Sequence, residues 1–276
     1  MKTEKFRSLF GASTSCALVG MIHVRALPGT PRHDATGGID AIVAKAVEEA
    51  KIYLDCGLEA LMVENMHDIP YVQGPGPEVA AVMAVVTRAV REAIGPERPL
   101  GVQILAGATT DALAAALAGG ANFIRAEGFV FGHVADEGWT DACAGQLLRY
   151  RRAMDATHIA ILTDIKKKHS AHAVTADVDI VQTLHAAEYF LSDGVIVTGA
   201  ATGESASLDD LCAVAAAATI PVWVGSGITE RNVRDYAALA DGLIVGSYFK
   251  EDGYWDRPLA PARIKGLLRA FRGAGQ

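Results

Sequence analysis

Two short apolar runs near the C-terminal end, Val222-Trp-Val224 and Leu243-Ile-Val245, each stop in small residues. Gly225-Ser226-Gly227 follows the first and Gly246-Ser247 the second. Backbone without a Cβ lets main-chain N–H groups come close to an anion, and a helix that begins beside them adds the positive end of its dipole. The chemistry expected there is phosphate binding without a cluster of basic side chains. The same glycines also suit plain tight turns, which any protein of alternating strands and helices needs.

Ionisable and polar residues stand at the ends of the other apolar runs. They are His23 and Arg25, Glu64 and Asn65, Gln103, Arg125 and Glu127, Asp164 with Lys166 and Lys168, and Thr198 with Gly199. A core has no use for a charge at nearly every strand end, because an unpaired one costs several kcal/mol to desolvate. Convergence on one polar site is the expectation. A histidine that titrates near neutrality and an opposed carboxylate make a general acid and base pair, so His23 with Asp164 or Glu64 is expected to move protons. Arg25, Asn65, Gln103, Arg125, Glu127, Lys166, Lys168, Thr198 and Gly199 are expected to bind substrate, with Arg125 and Lys166 neutralising its charge. Simpler roles stay open: His23 bonded to a carbonyl, Asp164 paired with Lys166 or Arg125. Glu64, Glu127 and Asp164 are hard oxygen ligands that suit a divalent cation such as Mg, although nothing in the sequence requires a cofactor and ligand type alone assigns no metal. His67, His133, His169 and His172 lack the spacing of a zinc site.

The elements that must bring these residues together alternate. Apolar runs at 17–24, 60–63, 100–105, 122–125, 159–163, 194–197, 222–224 and 243–245 are separated by helical patterns at 38–56, 78–94, 111–118, 141–155, 177–189 and 207–218. Strict alternation requires a parallel sheet with crossover helices, and eight units close a (β/α)8 TIM barrel. In such a barrel the C-terminal strand ends share one mouth, and the loops after strands seven and eight commonly hold phosphate. The 276 residues fit one such domain, with 1–16 as an N-terminal extension or short helix. Phe129, Phe131, His133 and Trp139 lie in a long connection at 128–139 that reads as an aromatic lid.

A net charge of −7 without a long basic run argues against a nucleic-acid surface. No apolar run approaches the roughly 20 residues of a membrane span, and the charged start lacks a signal-peptide core, so a cytoplasmic location is expected. Cys16, Cys56, Cys143 and Cys212 are scattered, with no metal or redox spacing.

Four segments carry a resemblance: Met21-Ile-His-Val-Arg-Ala-Leu-Pro-Gly29, Gly57-Leu-Glu-Ala-Leu-Met-Val-Glu-Asn-Met-His-Asp-Ile-Pro-Tyr71, Asp164-Ile-Lys-Lys-Lys-His-Ser170 and Val224-Gly-Ser-Gly-Ile228. Over nearly its whole length the chain resembles the BtpA/SgcQ family. That resemblance implies a phosphate-binding barrel of the ribulose-phosphate type, with members described as photosystem I biogenesis factors or as sugar-processing or nucleosidase-like enzymes. The tail is also similar to phosphoribosyl isomerases, which place an acidic residue or Cys at strand one where this chain has His23. The implied partner is a small phosphorylated metabolite, and barrels of this kind often form homo-oligomers.

Overall fold

The computed structural model of the chain describes residues 3–199 and 203–273. Eight strands form a closed barrel: β1 Ala17–His23, β2 Ala60–Glu64, β3 Leu100–Gln103, β4 Phe123–Ala126, β5 Ala160–Ile165, β6 Gly194–Val197, β7 Val222–Val224 and β8 Gly242–Val245. Each pairs in parallel with the next strand in the chain, and β8 closes on β1 with Ala17 opposite Gly242. The TIM barrel expected from the alternation is therefore the fold.

Side chains alternate across the barrel wall. Ala17, Val19, Met21, Ala60, Met62, Phe123, Leu162, Ile196, Trp223 and Ile244 fill the interior, while the outward-facing residues of the strands join the larger core beneath the helices. The N-terminal helix, Glu4–Phe10, closes the bottom: Phe6 packs edge-on against Trp223 at 5.9 Å, and Phe10 lies 5.3 Å from the same ring. With the bottom plugged by aromatic rings, the open end is the C-terminal one.

The helices pack around the outside, the longest being Gly38–Asp55 and Pro77–Ile94. The first of these ties the chain end to the barrel through a buried ion pair: Glu49 holds the Lys250 ammonium at 2.8 Å with both carboxylate oxygens.

The connection at 128–139 differs from a loose aromatic lid. His133–Ala135 and Gly138–Thr140 form a hairpin, extended by Ser170–Ala171 from the loop after β5 into a three-stranded antiparallel sheet. Phe129 and His133 are buried beneath it, while Phe131 and Trp139 face solvent. The aromatic residues pin or decorate the hairpin, and its acidic tip, Asp136-Glu137, is the part that reaches the barrel mouth. No described helix is long and apolar enough to cross a membrane.

Candidate functional site

Strand parity places the top layer of the barrel. Since Val19 and Met21, Met62, Phe123, Leu162, Trp223 and Ile244 point inward, the residues two steps further along also do: His23, Glu64, Arg125, Asp164, Gly225 and Gly246. This layer floors a cavity of about 500 Å³ at the C-terminal mouth.

Asp164 does not stand in that cavity opposite His23. Its two oxygens accept hydrogen bonds from Nε and Nη2 of Arg125 at 2.9 and 2.7 Å, and its side chain is wholly buried. Burial alone would depress the Arg125 pKa, but the Asp164 charge outweighs it and the guanidinium is held more firmly protonated than usual. The expected opposed acid and base is thus replaced by a bidentate ion pair on neighbouring strands, of which only Arg125 lines the cavity.

Glu64 is a buried carboxyl group that faces the cavity without a hydrogen bond to any described residue. Its one ion-pair contact within 4 Å among the described residues is Nε2 of His23 at 3.7 Å, and burial, against the Arg125 and Lys168 charges, pushes its pKa up to about 7. His23 is held differently. Its Nδ1 lies 2.8 Å from the carbonyl oxygen of Trp255, and a carbonyl can only accept, so Nδ1 carries the proton and Nε2 presents a lone pair. Burial and then the Lys250 charge lower its pKa to about 3. At neutral pH the ring is an uncharged acceptor beside a carboxyl group that can gain or lose its proton.

Glu127 and Gln103 form the next part of the floor. Glu127 accepts from Gln103 Nε2 at 3.4 Å and Gly107 N–H at 3.3 Å, and pairs with Lys167 at 3.3 Å. Burial would raise its pKa; Lys167 and Arg125 outweigh burial and hold it below the ordinary value. Lys168 lines the cavity with its pKa lowered by burial and then by Arg125, and its backbone N–H donates to Thr198 Oγ1 at 3.2 Å. Lys166 turns away, donating to the Thr175 carbonyl at 2.9 Å. The reason is local: Lys166 has φ 50°, a left-handed conformation that breaks strand alternation and sends Lys167 and Lys168 to the cavity instead. Lys167 was therefore hidden from a parity reading.

Both glycine turns reach the cavity. Gly225, Ser226, Gly227, Gly246 and Ser247 all line the cavity. No described residue accepts a hydrogen bond from the backbone N–H of Gly227, Ile228, Ser247 or Tyr248, so these donors are free to meet an anion. Gly227 has φ 70°, and a Cβ there would collide with the Ser205 backbone. At Gly246 a Cβ would stand 3.0 Å from His23 Nε2, so the missing side chain lets the imidazole and the turn touch. The Ser226 hydroxyl is internal, accepting from Gly199 N–H at 2.8 Å and donating to the Glu204 carbonyl at 2.9 Å. Arg263 brings a cation to the same end: its Nε donates to the Tyr248 carbonyl at 2.6 Å, and its guanidinium lies 4.3 Å above the Tyr248 ring.

Besides Lys166, four expected ligand-binding residues, Arg25, Asn65, Thr198 and Gly199, lie outside the cavity lining. Arg25 is exposed outside the cavity. Asn65 is a buried clamp between loops: its Oδ1 accepts from Leu105 N–H at 2.7 Å and its Nδ2 donates to Asp68 at 2.8 Å. Thr198, with Gly199, braces the Lys168 and Ser226 loops and does not line the cavity. Tyr71 and Trp255 form aromatic wall that no sequence spacing marks, because each is set by a loop. No three His, Cys, Asp or Glu side chains among the described residues are grouped to hold a metal ion; the carboxylates expected to share one are divided between Arg125, Lys167 and the open cavity.

A model of the BtpA family matches residues 14–273. The chain belongs to the BtpA family. Its relatives include a mitochondrial protein of Caenorhabditis elegans, 50% identical over 254 residues that cover 91% of each chain. The photosystem I biogenesis protein BtpA of Synechocystis sp. is 32% identical over 256 residues, 92% of this chain and 87% of its own. Among solved structures, 3-hexulose-6-phosphate synthase from Salmonella typhimurium matches with a TM-score of 0.57 at 15% identity, over 94% of this chain and 99% of that one. At that identity the likeness is one of fold. It shows this BtpA-family member to share the closed parallel barrel.

Proposed function

We propose that the protein is an enzyme acting on a small phosphorylated sugar, phosphoribosyl or nucleoside-like compound, as a lyase, isomerase or glycosidic hydrolase. One observation carries this reading: free main-chain donors at two glycine turns and a buried carboxyl group with a pKa near 7 face the same cavity, joined through His23. The turns and Arg263 anchor the phosphate. Glu64 exchanges a proton with the substrate, since a group that titrates near the working pH is populated in both forms. His23 keeps Nε2 free as an acceptor, and Lys167, Lys168 and Arg125 balance negative charge. All three reaction types need a proton moved close to an anchored phosphate, and 3-hexulose-6-phosphate synthase, named for a sugar phosphate, supports the ligand class.

The test is a thermal-shift screen of inorganic phosphate, sugar phosphates, nucleotides and phosphoribosyl compounds, with and without magnesium, since a ligand of the native state raises its midpoint. A raised midpoint with phosphate esters, followed by turnover that Glu64→Gln abolishes, is the expected result. No shift with any phosphate compound would refute it. The relative named for photosystem I biogenesis favours a second reading, in which the barrel is a non-catalytic assembly scaffold. Under that reading Glu64→Gln leaves the biological phenotype intact and surface substitutions do not.

A further inference from the structure

The register of the barrel puts three polar side chains side by side: His23 pairs with Glu64, and Glu64 with Gln103. On neighbouring strands, roughly 4.8 Å apart, they form a row across the cavity floor. The two outer members have fixed hydrogen-bonding directions. His23 gives its only proton to Trp255, leaving Nε2 as a lone pair. Gln103 is set by the same kind of logic. Glu127, paired with Lys167 and bonded by Gly107 N–H, is a carboxylate that only accepts, so the Gln103 amide must turn its Nε2 toward it. That leaves Gln103 Oε1 pointing away from Glu127, buried and without a hydrogen-bond partner among the described residues, in a residue only 2% exposed.

A buried acceptor without a partner destabilises the protein that carries it unless a ligand supplies the donor. Carbonyl, carboxylate and phosphate oxygens cannot do so. We infer that Gln103 Oε1 accepts a hydrogen bond from a hydroxyl group of the substrate, so that the β1–β3 row selects a polyhydroxylated phosphate ester over one lacking hydroxyls. The inference rests on the phosphate-ester reading above and narrows it. The phosphate at the Gly246 turn abuts His23, the first member of the row, which places the carbon skeleton of the ester along Glu64 and Gln103. A hydroxyl between an acceptor and the Glu64 carboxyl group is where a proton would be taken or given.

The test measures binding of inorganic phosphate, ribose 5-phosphate and tetrahydrofurfuryl phosphate, which keeps the ring and ester but no ring hydroxyl, to the wild-type protein and to Gln103→Met. Wild type is expected to bind ribose 5-phosphate at least about tenfold more tightly than the hydroxyl-free ester. In Gln103→Met that preference should shrink at least about fivefold, with the inorganic phosphate affinity unchanged. Retained inorganic phosphate binding is the check that Gln103→Met is folded, since methionine removes the Nε2 donor to Glu127 together with the unsatisfied oxygen. Equal binding of the two esters by wild type, or an unchanged preference in Gln103→Met, with phosphate still bound, overturns the inference and leaves the phosphate reading standing. Failure of wild type to bind phosphate or either ester overturns both.

Discussion

Nε2 of His23 stands 3.7 Å from Oε2 of Glu64, a neutral imidazole beside a carboxyl group that titrates near neutrality. Trp255 holds the imidazole proton on the far nitrogen, and burial keeps His23 neutral down to about pH 3 while lifting Glu64 to about 7. A carboxyl group whose folded pKa is raised binds its proton more tightly in the native state, so this group lowers stability as pH rises from the ordinary carboxylate value of 4.5 to about 7. Glu64→Gln removes that slope. The variant should match wild type in urea unfolding near pH 4 and exceed it at pH 8 by up to about 3 kcal/mol. An identical pH dependence in the two proteins would show that Glu64 is not raised.

His23 carries the opposite slope. Its pKa is depressed by burial and Lys250, so the unfolded chain takes up a proton below the ordinary 6.5 while the native one does not. Wild type should therefore lose stability from about pH 6.5 downward, and His23→Gln should lose less over that interval. Denaturation curves at several pH values between 4 and 7 read the difference directly.

Arg125 and Asp164 are a structural unit, and Asp164→Asn should behave as a stability mutant. Removing one charge leaves a buried guanidinium without its counterion, a cost of about 3–5 kcal/mol. The urea midpoint should fall by that measure with the slope unchanged. A midpoint within experimental error of wild type would contradict the assignment.

The Lys250–Glu49 pair, 2% and 6% exposed, makes a sharper prediction. Lys250→Met alone strands the Glu49 charge and should cost about 3–5 kcal/mol, whereas the double variant Lys250→Met/Glu49→Leu should recover most of it. A double variant as unstable as the single one would mean that the segment following β8 needs the ion pair itself.

The barrel was legible because alternation and burial agree: every interior strand reads as an apolar run, and period-two counting from Val19 or Met62 delivers His23 and Glu64 to the mouth. That the glycine turns would reach the mouth was legible for the same reason, since each follows directly on an interior strand. Pairings were not. Whether Asp164 meets His23 or Arg125 depends on which strand is its neighbour and how far a guanidinium reaches, neither of which is a property of spacing. Lys166 was misplaced because a left-handed residue at the end of β5 breaks the count, and Asn65 because a loop at Leu105 claimed its amide. Trp255 enters the cavity from a connection whose path only the assembled chain fixes.

Gly227→Ala tests the phosphate turn. Its φ of 70° disfavours any side chain, and a Cβ would strike Ser205, so the turn must shift. Inorganic phosphate affinity should drop at least about tenfold, and retained affinity would place the anion elsewhere.

The most direct test of the account is a 13C NMR titration of glutamate-labelled protein, with the Glu64 signal assigned by its loss in Glu64→Gln, run with and without inorganic phosphate. A phosphate at the Gly246 turn sits beside His23 and hence near Glu64, in a site too buried for salt to screen the repulsion. The account predicts a carboxyl group titrating near pH 7 that moves higher when phosphate is added. A Glu64 that titrates near 4.5 and ignores phosphate would contradict it.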